Sequence, residues 1–303
     1  MPPGIFIKHR LAFAAGLLLA VMATIFFLWP APPSATGALL PSPNGYDDFV
    51  KAGTMLTTIS SDYTEMPMEE LKACLSTNQE PLRLVRLGLT RECRIPTEDS
   101  ADYIQRHFPD VAGIKRMAHF IAAEARLAEM EGRFADAGRS HLDNVRYGLV
   151  SANGGLLIDK LVGVAIENIG MGGIERIEDK LDARQAREFI TSLEEADARS
   201  TPASIFIARD RQWGRKATDT SAFSAWILSK VLSLHRQADQ KFTAKLQTTD
   251  LRRRKLLLNL ASRVHELETG KRPQQTKDLV PGILRAIPKD PGTSANLTFS
   301  ESK

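Results

Sequence analysis

Hydrophobic and polar positions divide the chain into four stretches. The first is an uncharged apolar run from Leu11 to Trp29. A helix rising 1.5 Å per residue over that run just spans a hydrocarbon core. Lys8 and Arg10 precede it, and the next charges are Asp47 and Asp48. The positive-inside rule therefore predicts a single-pass anchor over residues 1–29 in the inner (cytoplasmic) membrane, with the body outside the cytoplasm. A cleaved signal peptide is the competing reading. The run is longer than a usual signal core and no A-x-A site follows the Trp29-Pro30 exit, so an uncleaved anchor is expected. Pro30, Pro32, Pro33, Pro41 and Pro43 then mark residues 30–43 as an extended spacer.

From residue 44 to 268 the apolar positions recur at helical spacing. Asn44-Gly45 starts a segment carrying Tyr46, Phe49, Val50 and Leu56. Pro109-Asp110 reads as the first turn of a helix whose Val111, Ile114, Ala118, Ile121, Ala125 and Ala128 share a face, ended by Gly132. A second helix follows at once with Phe134, Gly138, Leu142, Val145 and Leu149 on one side, and the short junction predicts antiparallel packing. Gly154-Gly155 separates a helix whose glycines 163, 170, 172 and 173 fit close helix packing. "GMGG" lacks the later glycine of a dinucleotide fingerprint and follows no strand. Asp182 caps another helix, and Thr201-Pro202 opens one running through Trp213. Two further amphipathic helices are expected, at 221–246 and 250–268, packed as a bundle because their stripes do not keep a strict heptad.

The predicted fold is mainly α: an N-terminal transmembrane helix, an antiparallel helical bundle over 44–268, and a short irregular or β module over 269–303. Composition agrees, with aromatics at 7% and Ala and Leu recurring. The net charge of +4 is mild and does not call for nucleic acid, so none is expected as a partner. Cys74 and Cys93 would face an oxidising compartment, which permits a disulfide. A continuous helix over 68–92 would hold them roughly 28 Å apart, whereas a break at Asn78 and Pro81 could fold the segment into a hairpin that brings them together.

Motifs that carry chemistry are absent. His9, His107, His119, His141, His235 and His265 include no H-E-x-x-H or H-x3-H pair, and there is no G-x-S-x-G elbow, P-loop lysine or Cys-x-x-Cys. Glu124 and Glu131 lie on one helix and read as solvated edge charges in place of an acid/base pair. No catalytic, cofactor or metal residue is assigned. The basic run "LRRRKLLL", with Arg252, Arg253, Arg254 and Lys255, and the group Arg209, Arg211, Arg215 and Lys216 are candidates for contact with anionic lipid or an anionic envelope polymer; the alternative is a solvated helix face.

Two resemblances follow from the motifs. The stretch Arg116–Val150, with small residues before a Gly-Arg-Phe turn, resembles one tetratricopeptide-like hairpin, although no second copy recurs at the expected period. Gly270-Lys271-Arg272-Pro273, Leu279-Val280-Pro281 and Pro288-Lys289-Asp290-Pro291 resemble the C-terminal half of type II secretion major pseudopilins. Arg272 stands where that family has an aromatic, the family's β-region and metal-binding loop do not follow, and His9 occupies the position of the pilin glutamate. Neither assembly function nor a calcium site is carried over. With its anchor, spacer, "SPNGYDDFVKAG" and "EGRFADAGRSHLDNVRYG", the whole chain is similar to bacterial membrane-anchored envelope proteins of unknown function. That resemblance implies architecture: a binding or scaffolding protein without turnover, with an envelope protein as partner. An accessory part of a secretion or pilus-like apparatus, or an unrecognised envelope hydrolase, are the other classes.

Overall fold

The computed structural model describes residues 39–57, 63–217 and 234–299. The expected anchor and the first part of the spacer lie outside these residues. Among the described residues, no helix is long and apolar enough to cross a membrane.

The body is helical. Helix α1 (Gly45–Met55) is capped by Asn44, whose side-chain oxygen accepts from the Tyr46 N–H at 3.2 Å. The Asn44 amide also donates to the Arg94 carbonyl at 2.7 Å, which ties this first turn to the loop after α3. Helices α2 (Met68–Ser76) and α3 (Gln79–Leu89) are separated at Asn78. Asn78 is fully buried, donates to the Cys74 carbonyl at 2.8 Å and accepts from the Thr57 N–H at 3.1 Å.

Helix α4 (Tyr103–Met130) begins well before Pro109, where the sequence pattern placed its first turn. Proline removes one bond, to the Gln105 carbonyl, but both residues are exposed near the helix start. Water can satisfy that carbonyl, so the helix continues through the proline.

Gly132, at φ +74°, turns the chain into α5 (Phe134–Val150), giving the expected antiparallel hairpin. Helix α6 (Leu157–Ile177) then lies close along α5. A Cβ on Gly148 would sit 2.4 Å from the Gly163 carbonyl, and one on Gly170 would sit 2.5 Å from the His141 carbonyl. Gly170 and Gly173 of "GMGG" therefore serve packing, the latter against the His141 ring. Helix α7 (Ala183–Ala198) is opened by a reciprocal Asp182–Gln185 capping box, and α8 (Ala203–Ala217) follows Pro202.

Helix α9 (Leu234–Thr269) is continuous where two helices were expected. Thr248, Thr249 and Asp250, at the expected junction, do not break it. The Thr248 and Thr249 hydroxyls bond back to the Ala244 and Lys245 carbonyls at 2.8 and 3.1 Å, and Asp250 is held by Arg253.

Two apolar cores flank the α5–α6 pair. One gathers Phe49 of α1, Leu71 of α2, Val85 of α3, and Met117 and Phe120 of α4. The other gathers Leu142 of α5, Ile174 of α6, Phe189 of α7, and Leu257, Leu260 and Val264 of α9. A smaller cluster joins Phe206 of α8 to Phe242 and Leu246 of α9.

The C-terminal segment completes the second core. Gly270, at φ +72°, ends α9, and Leu279 and Leu284 return to bury themselves against it. The Asp278 carboxylate accepts from the Gln274 and Gln275 N–H groups at 3.0 and 2.9 Å, pinning the 3-10 turn Thr276–Leu279. Of the irregular or β module expected over 269–303, the described residues show one isolated antiparallel bridge, Lys289 to Asn296. The Asp290 carboxylate, accepting two backbone N–H groups at 2.8 Å, shapes the turn between them and leaves no room for a longer ladder.

Cys74 and Cys93 are free. Helix α2 packs chiefly on α4 and α3 chiefly on α1, so the hairpin that a disulfide requires does not form. Both sulfurs instead pack against the first core as small apolar groups. Burial pushes the Cys93 thiol up to about 12.

Candidate functional site

One side of α5 is buried in the cores and the other carries charges of alternating sign: Asp136, Arg139, Asp143 and Arg146. Spacings of three and four residues keep them on one helical face. With Arg86 of α3, Glu124 and Leu127 of α4, and Glu188 and Ser192 of α7, this face encloses a cleft of ≈ 420 Å³. Four guanidinium groups and four carboxylates line it, above a floor that includes Leu127, Ala128 and Leu142.

The charges are not equally satisfied. Arg86 grips Glu124 through both terminal nitrogens and reaches Asp143 through Nε at 3.2 Å. Ser140 adds a hydroxyl donor to Glu124 at 2.8 Å. Arg133 bonds Asp136 at 2.6 Å and Glu131 at 2.5 Å, and Arg139 also pairs with Asp136. The hydrogen bond from Arg133 holds the Asp136 carboxyl below the usual carboxylate range.

Asp143 differs, because burial pushes its carboxyl above the usual range despite Arg86 and the nearby charge of Arg146. Arg86 itself is raised against the effect of burial chiefly by its bonds to Glu124, so it does not mark Asp143 as well compensated. Arg146 and Glu188 are exposed and make no ion pair or hydrogen bond among the described residues.

A second polar assembly lies between α6, α7 and α9. Arg253 is fully buried and meets Glu167 at 2.8 Å, Asp197 at 2.9 Å and Asp250 at 2.6 Å. Lys160 reaches the other Glu167 oxygen at 2.9 Å, with both side chains at most 5% exposed. This is an internal tie between helices, with only its Asp197 and Asp250 edge reaching solvent. A third assembly sets His107 between Asp159, at 2.6 Å from Nε2, and the Tyr46 hydroxyl, at 3.4 Å from Nδ1, with the Tyr103 ring stacked at 5.0 Å. The second Asp159 oxygen accepts from the Leu156 N–H at 2.7 Å. Because His107 and Asp159 are at most 5% exposed, the trio fixes the start of α6 onto α4 and offers no surface to a ligand.

The basic residues expected to meet an anionic surface are mostly committed elsewhere. Arg252 forms a two-pronged pair with Glu175 at 2.8 and 2.5 Å, Arg253 is buried, and Arg254 pairs with Asp197 at 3.0 Å. The run is amphipathic: its arginines turn inward to carboxylates on α6 and α7. Arg211 pairs with Asp239, while Arg209 donates to the Gly155 carbonyl at 3.0 Å and lies over the Phe206 ring. Lys255 and Arg215 are exposed and make no ion pair among the described residues.

Glu124, read as a solvated edge charge, is instead drawn into the cleft. Among the described residues, no group of three or more His, Cys, Asp or Glu side chains is arranged to hold a metal ion. The residues missed in the sequence pattern are Arg86, Asp143 and Arg146, whose alternation with Asp136 and Arg139 along α5 was the available signal. Glu167 and Lys160, set in an otherwise apolar helix, similarly called for buried partners.

No family model, curated protein or solved structure matches the chain. The functional reading therefore rests on the site's own chemistry.

Proposed function

We propose that this protein is a membrane-anchored envelope component that works by binding or scaffolding, and that its ligand seats in the cleft above the α4–α5 hairpin. The observation that carries the reading is the state of the cleft charges. The side chains of Arg146 and Glu188 make no ion pair or hydrogen bond among the described residues, and Asp143 is buried beyond what Arg86 and the nearby Arg146 charge compensate. Groups arranged for folding alone resemble the Arg253 assembly, where each charge meets an opposite one; groups left short of partners in a concavity mark a binding site. The anchor at 11–29 would hold the body at the outer face of the inner membrane, and the proline spacer would lift the cleft towards envelope partners.

Photocrosslinking in native membranes tests this reading. A photoreactive side chain at Ser192, in the cleft, should capture a discrete partner, and one at Lys255, on exposed α9, should not. Equal capture from both positions, or none from Ser192, would count against it. Orientation is checked by a reporter fused after Lys303; activity only in the cytoplasm would contradict the outward placement.

A further inference from the structure

We propose that the cleft recognises a short peptide segment of mixed charge, its cationic side chain received by Asp143 and Glu188 and its carboxylate by Arg146. This rests on the cleft being the binding site and adds the class of ligand. The charge inventory excludes simpler ligands. A polyanion entering the cleft would meet Glu124, Asp136, Asp143 and Glu188, while Arg86, Arg133 and Arg139 are already held by internal carboxylates. A polycation would meet four guanidinium groups. Each like-charge approach opposes binding, most of all beside charges whose pairing is incomplete. A ligand carrying one charge of each sign avoids both penalties.

The receiving groups are distinguishable. Glu124 has both oxygens taken by Arg86 and one of them also by Ser140, so it has little to offer a ligand. Asp143 has a single guanidinium contact at 3.2 Å and an oxygen to spare. A ligand ammonium would supply what burial withholds from it, and the methylene stem behind that ammonium can lie on Leu127 and Leu142. Arg146, three residues further along α5, stands about 5–6 Å from Asp143 between Cβ atoms. In an extended peptide, side chains two residues apart project from the same face at about 6.5 Å, matching that separation.

The test uses the full-length protein in detergent and three end-blocked tripeptides: lysine–alanine–glutamate, lysine–alanine–lysine and glutamate–alanine–glutamate. Calorimetric titration should show the mixed peptide binding at least about tenfold tighter than either uniform one. Asp143→Asn and Arg146→Ala should each weaken it about tenfold or more, and Arg146→Lys should restore part of the loss. If the glutamate–alanine–glutamate peptide binds as well as the mixed one, through Arg146 and independently of Asp143, the ligand class is overturned while the cleft survives as a site. If no peptide binds, or the mixed peptide binds with no dependence on either residue, the proposal is overturned. The Ser192 crosslink then reports separately on the cleft.

Discussion

Removing the Glu167 carboxylate should be far more damaging than removing the whole charge cluster around it. Glu167 lies between Lys160 at 2.9 Å and Arg253 at 2.8 Å, and all three side chains are at most 5% exposed. The gross attraction in one such pair is about 6 kcal/mol at an effective dielectric of about 20, and the cost of taking both ions out of water offsets most of it. Glu167→Gln removes the attraction and keeps the burial, leaving the Lys160 ammonium without its anion while Arg253 keeps only Asp197 and Asp250. Breaking a buried pair in this way costs about 3–5 kcal/mol. For a body of this size that lowers Tm by about 10 °C. The triple variant Lys160→Met, Glu167→Leu, Arg253→Met removes attraction and desolvation together and should recover most of the loss. Asp197 keeps Arg254 as its partner in that variant, and Asp250 stays partly exposed. Chemical denaturation of wild type and both variants reads the two differences. A single substitution costing under about 1 kcal/mol, or a triple variant as unstable as the single, would refute the reasoning.

Other expectations follow from individual residues. Asp143 has a folded-state pKa above its unfolded one, so its contribution favours folding at low pH and is lost as pH rises through the raised value. The Tm advantage of Asp143→Asn over wild type should therefore grow from pH 4 upwards and then level off; a gap that shrinks as pH rises would be the wrong sign. The glycines of α5 and α6 should split by position. Gly148→Ala, which drives a methyl to 2.4 Å from a backbone carbonyl, should cost about 1–3 kcal/mol, whereas Gly172→Ala meets only the mobile end of Arg252 at 3.2 Å and should be neutral or mildly stabilising. Thiol titration with an aromatic disulfide should find the half-buried Cys74 reacting ahead of Cys93 in the native protein, and both reacting after unfolding without reductant. Reaction of neither thiol in the unfolded protein would show a disulfide.

Legibility in the sequence followed the range of the forces involved. The α4–α5 hairpin, the start at Asn44-Gly45, the Asp182 cap and the Gly132 stop were all readable, because each depends on neighbours a few residues away. Helix α9 was read as two, and Thr248-Thr249-Asp250, at the expected junction, carries polar chemistry that could end a helix. Contacts from Asn168 and Arg253, and back-bonds within the helix, absorb it. Pro109 misled for a similar reason: the exposed side of the first two turns, where Gln105 and Pro109 lie, tolerates a missing bond that a buried helix would not. The arginines of 252–254 looked like a surface patch because their partners on α6 and α7 are between 56 and 86 residues away. The cleft was illegible as a site for the same reason, with Arg86, Glu124, Asp143 and Glu188 drawn from four helices. The alternation along α5 was visible, but the wall facing it was not.

The central claim is that Asp143 and Arg146 serve a ligand and not the fold. Paired measurement of Tm and of mixed-charge peptide affinity in the variant Asp143→Asn, Arg146→Ala tests it most directly. The account predicts an unchanged or raised Tm together with loss of binding. A Tm lowered by several degrees with binding intact would show that these charges belong to the structure and would contradict the account.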